Sequence, residues 1–247
     1  MNNFYIIRLR KIRYVISLFM FLGQAFSGIS QSYDQLKTQL QFENYYGTRL
    51  RSTAPNTGIS GSECLTDDWL PIEITLPGGT IQFEKGRLNL LNSCVEVIYK
   101  DNEMFISPEH FTTLKISNQN RWFVSGTKYY YKDISLDGLL EIFQVSPRPP
   151  YIMEQHFVYL KEPNSNGYIN GGSLEKKLIK SSKIFLNDGK KLMQVKNKND
   201  LEKYYKLNKS KILLTKYIKE LKVNFKDPRS VHGLVSAIEA DVKKTIN

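Results

Sequence analysis

From residue 70 onward, apolar and polar residues alternate along the chain with a period of two. Ile72, Ile74 and Leu76 alternate with Pro71, Glu73 and Thr75, and Pro77-Gly78-Gly79 interrupts the run before residues 80–84 resume it. Successive side chains of a strand point to opposite faces, so this pattern predicts a strand–turn–strand hairpin with one buried face. Short runs rich in β-branched and aromatic residues follow at 95–99, 104–106, 111–116, 121–124, 128–131, 138–145 and 155–160, with turn residues between them. No helical pattern separates them, which predicts an antiparallel meander curling into a sandwich or barrel-like sheet. The SPRPP segment at 146–150 has to leave any central ladder, because proline has no N–H to donate. A last hairpin is expected at 183–186 and 192–195, turning on Asn187-Asp188-Gly189, where the Asp-Gly pair accepts positive φ angles.

Beyond residue 198 the apolar period lengthens to that of a helix. Asn199 with Glu202 three residues on reads as a capping box opening a helix through Tyr205. A second helix from about residue 210 would set Leu213, Tyr217 and Leu221 in one stripe, with Leu214 and Ile218 beside it. A third opens at Asp227-Pro228, cap then first-turn proline, and carries Val231, Leu234, Val235, Ile238 and Val242 on one face. These stripes would bury against each other or against the sheet, leaving the lysines in water. The expected fold is α+β: a mainly antiparallel β-domain over 70–198, then a small basic helical module over 199–247.

The first residues follow a different pattern. Arg8, Arg10, Lys11 and Arg13 precede an apolar run from Tyr14 to Phe26, with no acidic residue before Asp34. That is the arrangement of a signal peptide over 1–30, and small residues offer cleavage before Gly28 or before Gln31. The run is shorter than the ~20 residues that span a bilayer, so no transmembrane segment is expected in the mature chain. Residues 31–69 read as a short helix around Leu36 and Leu40 and then a polar loop. The expected location is outside the cytoplasm: periplasmic, outer-membrane-associated or secreted.

Export changes how composition and charge are read. At 247 residues with 12% aromatics, the chain can bury a real core and is not of disordered composition. Its two cysteines, Cys64 and Cys94, become a disulfide candidate in an oxidising compartment. The formal charge of +11 divides into +4 over 1–30, −4 over 31–160 and +11 over 161–247. A lysine-rich C-terminal third suits an anionic glycan or polymer, or an anionic membrane surface, as well as serving simple solubility. Export disfavours nucleic acid, and lysine is a poorer bidentate phosphate reader than arginine.

The C-terminal third also carries a resemblance. Gly189, Lys190, Val195 to Asp200 and Leu201, then Ile212, Tyr217 to Lys219, Lys222 and Phe225, then Leu234 and Ile238 match a recurrent pattern. They resemble the C-terminal module of exported envelope proteins of unknown function common in the Bacteroidetes. The stretch from Pro71 to Pro108 resembles the strand-rich middle of the same proteins. The chain departs from the pattern at His232-Gly233, where an acidic or helix-favouring residue is expected. The resemblance implies the compartment and the fold, and it supplies no catalytic residues.

Motifs for catalysis are not legible. His110, His156 and His232 lack the spacings that zinc chemistry uses, and Glu109-His110 would point to opposite faces of a strand. Ser125-Gly126 lacks the context of a nucleophile elbow, and the Gly-Gly pairs lack the partners of a phosphate loop. No cofactor or metal is therefore expected. Asp67, Asp68, Glu73 and Glu96 supply the carboxylates a glycosidase would need, without any spacing that selects them. Trp122, Tyr129 and Tyr131, close to Phe123 and Tyr130, could fill a core or present a contact patch. Lys211, Lys219 and Lys222 would offer a cationic face. The chain is thus expected to be an exported, non-enzymatic binding or assembly protein of the bacterial envelope. Its partner would be an envelope protein, a glycan or an anionic polymer. The alternatives are a glycan-active hydrolase with a carboxylate site hidden from motif analysis, or a structural subunit of an envelope complex.

Overall fold

The alternation at 70–84 builds the hairpin it predicts. Strand β3 (Leu70–Leu76) pairs antiparallel with β4 (Gly79–Asn89), so Ile72 and Ile74 share a buried face with Phe83 and Ile81. A computed structural model describes residues 48–49, 59–143, 148–162, 176–205 and 211–246. The signal peptide expected over 1–30, the helix expected within 31–69 and residues 50–58 of the polar loop lie outside the described residues.

Two short strands come first, β1 (Thr48–Arg49) and β2 (Ile59–Ser60). After β4 follow β5 (Cys94–Tyr99), β6 (Asn102–Ile106), β7 (Thr113–Ile116), β8 (Arg121–Ser125), β9 (Tyr130–Tyr131), β10 (Ile134–Ser135) and β11 (Leu139–Ile142). The last strands are β12 (Tyr151–Lys161), β13 (Lys176–Asn187) and β14 (Leu192–Gln194). The large sheet runs β1-β6-β5-β4-β3-β7-β8-β11-β12-β13-β14, and β2 adds to β13 as its parallel partner. Every other pairing in it is antiparallel. The sheet is mixed and mostly antiparallel, as composition and alternation suggest. It is open and not a closed barrel, and it departs from a simple meander because the chain crosses from β6 to lay β7 beside β3. The small hairpin β9–β10 stands as a separate two-stranded sheet.

Turn chemistry sets the registers. Lys100 (φ 50°) and Asp101 (φ 62°) make the tight turn between β5 and β6. Residues 108–110 form a 3₁₀ turn, not the start of a strand, so Glu109 and His110 do not alternate across a sheet; His110 Nε2 lies 3.6 Å from Glu109 Oε1.

Three buried clusters organise the molecule. The first joins Ile72, Ile74, Phe83, Val95, Val97, Ile106, Leu114 and Phe123 on one face of the first half of the sheet. On the same face of the second half, Ile152, Ile184 and Leu186 pack against the helices. The opposite face of that half carries the third cluster: Leu140, Ile142, Tyr151, Met153 and Phe185.

The helices are α1 (Lys198–Tyr205), α2 (Lys211–Glu220) and α3 (Pro228–Ile246). Among the described residues no helix is long and apolar enough to cross a membrane. Their stripes meet each other and the sheet at once: Leu201, Tyr205, Leu214, Val231, Leu234, Val235 and Ile238 are buried with Ile152 and Ile184. The cap of α1 sits two residues earlier than the sequence suggests. Asn197 Oδ1 accepts from the Asn199 N–H, and Asp200 Oδ2 accepts from the backbone of Lys196 and Asn197. At α3 the Asp227 side chain accepts from the Arg229 N–H with Pro228 in the first turn, as expected. Tyr205 and Tyr217 donate to Glu239 and Asp241, tying α1 and α2 to α3.

Gly233 lies on the exposed side of α3, and a Cβ built there meets nothing within 4 Å. Helix propensity and unfolded-state entropy then both favour alanine. Gly233→Ala is expected to raise stability by about 0.5–1 kcal/mol in urea unfolding; an unchanged or lowered midpoint would contradict this placement of α3.

Candidate functional site

Residues facing each other across antiparallel strands share a face, so the registers trace rows of side chains over the sheet. One row runs Ile81, Ile74, Leu114, Phe123, Glu141, Glu154 and Ile184. Five apolar residues and two carboxylates therefore share a single buried line. Glu141 on β11 and Glu154 on β12 stand directly opposite one another, where like charges repel.

Two neighbours on the same face answer that repulsion. Arg121, two residues before Phe123 on β8, forks onto Glu141: Nε–Oε1 is 2.8 Å and Nη2–Oε2 is 2.6 Å. His156, two residues after Glu154 on β12, brings Nε2 to 2.8 Å from Glu141 Oε2 and 3.5 Å from Glu154 Oε2. Burial alone would push the Glu141 carboxyl up, but hydrogen bonds from Arg121 and His156, with their charges, outweigh it and bring it to about 2. The cluster sits at the seam between the first and second cores, with the Arg121 and His156 side chains 17% and 14% exposed. Glu141, Glu154 and His156 each offer a ligand atom within 4.8 Å of the others. By sequence spacing alone His156 is a lone histidine. The signal was Glu154-Gln155-His156 on a strand, a spacing that puts the first and third residues on one face.

On the opposite face, β12 and β13 extend beyond β11 as a two-stranded arm. Phe157 and Tyr159 stand two residues apart there, with ring centroids 6.5 Å apart and planes tilted by 35°. Lys183 places its ammonium 5.0 Å from the Phe157 centroid, a cation–π contact. Ile179 pairs with Tyr159 and Lys177 with Lys161 on the same face. Tyr159 is 48% exposed, and all three lysines are exposed. The other face of the arm is held down. Leu178 is buried against Gly61, where φ is +100° and a Cβ would come within 2.6 Å of the Leu178 carbonyl; Lys180 reaches the Leu65 carbonyl and Asp67. A glycine is required at that close approach.

The residues singled out from the sequence fall elsewhere. Trp122, Tyr129 and Tyr131 are brought together as partly buried rings packed on the third core, Tyr131 edge-on to Phe185 at 5.4 Å. Lys115 lies 5.0 Å over the Trp122 ring. Of that aromatic segment, Tyr130 is the exposed ring, and Ile134, opposite Tyr131 on β10, is exposed as well. Lys219 and Lys222 are exposed on α2 and just after it. Lys211 is the first residue of α2, and its side chain lies outside the described residues. Among the glycosidase carboxylates, Glu73 accepts from Gln82 and Glu96 from Arg87 and Asn89, each on its own strand pair. His232 packs against Phe143 with its Nδ1 buried and unpartnered, and burial lowers its basicity.

Cys64 and Cys94 are both buried free thiols, so the expected disulfide is not formed. The reason is topological. Both residues pair with Asn89 from opposite sides, Cys64 through an isolated bridge and Cys94 through the β4–β5 ladder. With a strand between them their Cα atoms are separated by about two strand spacings, ~10 Å, beyond the ~7 Å limit for a bridge. Burial pushes Cys64 to about 11 and Cys94 to about 12, the Glu96 carboxylate adding to the effect at each, so both remain protonated and poorly reactive at neutral pH.

Comparison of the chain with protein-family models, curated proteins and solved structures found no match.

The ion-pair cluster predicts a pH dependence with a definite sign. The Glu141 carboxyl is depressed from 4.5 to about 2 in the folded chain, so its stabilisation is complete above pH ~4.5 and is lost as pH falls towards ~2. Arg121→Leu would strand a buried carboxylate, costing about 3–5 kcal/mol in urea unfolding at pH 7. The cost should shrink at pH 4, where the abandoned carboxyl can take up a proton. A cost equal at both pH values would contradict this assignment.

Proposed function

We propose that this chain is an exported, non-enzymatic binding protein of the bacterial envelope, and that the β12–β13 arm makes its principal contact. The observation that carries the reading is the Phe157–Tyr159 ring pair on a solvent-facing strand pair, bordered by Lys161, Lys177 and Lys183. Rigid rings provide contact area at low entropic cost, and the ammonium groups favour a negatively charged ligand. An acidic polysaccharide fits both features: sugar faces lie on aromatic rings while carboxylates or sulfates meet the lysines. The basic charge of residues 161–247, including exposed Lys219 and Lys222, would draw such a polymer to the same end of the chain.

Export is supported by the basic and then apolar N-terminal sequence, and the envelope setting by the resemblance of the C-terminal third to exported Bacteroidetes proteins. The hydrolase alternative finds less support: Glu73 and Glu96 are each engaged by neighbouring donors, and Glu141 is held by an arginine fork.

Binding of the full chain to alginate, a uronic acid polymer, tests the reading by calorimetry. Tyr159→Ala is expected to weaken binding about five- to tenfold, as loss of an exposed anchor does. Lys183→Glu should weaken it further, and both effects should appear with circular dichroism melts close to that of the unsubstituted chain. Affinity should fall steeply between about 50 and 300 mM salt. Salt-independent binding, or binding indifferent to both substitutions, would overturn the proposal.

A further inference from the structure

The buried carboxylate pair on the face opposite the arm is only partly explained by the side chains around it. Arg121 satisfies both oxygens of Glu141. Glu154 has no such partner. Its side chain is nine-tenths buried, it receives no hydrogen bond among the described residues, and His156 Nε2 lies 3.5 Å from its Oε2. Two carboxylates facing one guanidinium leave one negative charge uncompensated when the imidazole is neutral. Like charges directly opposite one another repel, and the fold nevertheless keeps Glu141 and Glu154 as a facing pair.

We infer that Glu154, His156 and Glu141 form a binding site for a divalent transition-metal ion, zinc by their donor set. The ligand atoms would be Glu154 Oε2, His156 Nε2 and Glu141 Oε2. Tetrahedral zinc, with bonds of ~2.0–2.2 Å, holds its ligands ~3.4 Å apart. The His156 Nε2 distances to the two carboxylates, 2.8 and 3.5 Å, bracket that value, and all three ligand atoms lie within 4.8 Å. An ion therefore needs only a small parting of His156 from Glu141. Arg121 remains the group that orients the Glu141 ligand from behind, the role an outer hydrogen-bond partner plays at metal sites. Two carboxylates with one imidazole suit a first-row dication, whereas calcium and magnesium favour all-oxygen surroundings. Three protein ligands leave a fourth position for water on the partly exposed side of Arg121 and His156.

This site uses residues on the face opposite Phe157 and Tyr159, so it stands independently of the polysaccharide contact. The test titrates zinc chloride into the chelator-treated full chain, followed by calorimetry and by native mass spectrometry. The expected result is one zinc per chain, with at least tenfold weaker binding in His156→Ala and in Glu154→Gln. Cys64→Ser with Cys94→Ser should leave the affinity unchanged. Glu154→Gln is nearly isosteric and removes the uncompensated charge, so without metal it should melt no lower than the unsubstituted chain. Zinc should raise the melting temperature of the unsubstituted chain and of the cysteine variant, and raise that of His156→Ala and Glu154→Gln far less. Failure to take up zinc at micromolar concentration would overturn the inference, as would uptake unaffected by both substitutions or abolished by loss of the thiols.

Discussion

The structure turns on β12, an eleven-residue strand that pairs along its whole length with β13. Its first half must satisfy two cores at once. Ile152 faces the helices, while Tyr151 and Met153 face the third core. Neither face of this segment can be polar without a specific partner: Glu154 and His156 belong to the charged cluster, and Gln155 donates to the Asp137 carbonyl. The second half, from Phe157 to Lys161, has outrun β11 and becomes progressively exposed. The same ladder of hydrogen bonds thus anchors one end in the interior and presents the other to solvent.

That division assigns the chemistry to opposite faces. Towards the interior, charge is permitted only because Arg121 delivers two short hydrogen bonds to Glu141 across β8 and β11. Such an arrangement adds little net stability compared with apolar packing, but it penalises every pairing that separates the partners. It would thereby fix the register of β8, β11 and β12. Towards solvent, the arm needs no such compensation, and aromatic rings with lysines can stand beside water at low cost. Support comes from beneath, where the 61–67 loop covers Leu178 and receives Lys180.

Local patterns made much of this fold legible. The alternation of Ile72, Ile74 and Leu76, the Asp188-Gly189 turn, and the helical stripe of Val231, Leu234, Val235 and Ile238 each reflect a rule that operates within ten residues or so. Strand order was beyond such rules, because placing β7 beside β3 is decided by long-range packing. The cysteines show the same boundary: compartment and count suggested a bridge, but only topology sets Asn89 between them. The rings of Trp122, Tyr129 and Tyr131 pack partly buried on the third core, which periodicity cannot foresee because it does not say which face of a strand another hairpin will cover. His156 looked isolated because its partners come from strands 15 and 35 positions away, at Glu141 and Arg121, with Glu154 the single close neighbour.

Strand β12 is thus fixed at one end and offers a contact surface at the other. Hydrogen–deuterium exchange of the full chain, measured by mass spectrometry with and without alginate, addresses this most directly. Amides of 151–156 should exchange slowly in both conditions, while 157–161 and 176–183 should gain protection only with the polymer. Rapid exchange of 151–156 in the free chain, or polymer-induced protection confined to α2 and α3, would contradict it.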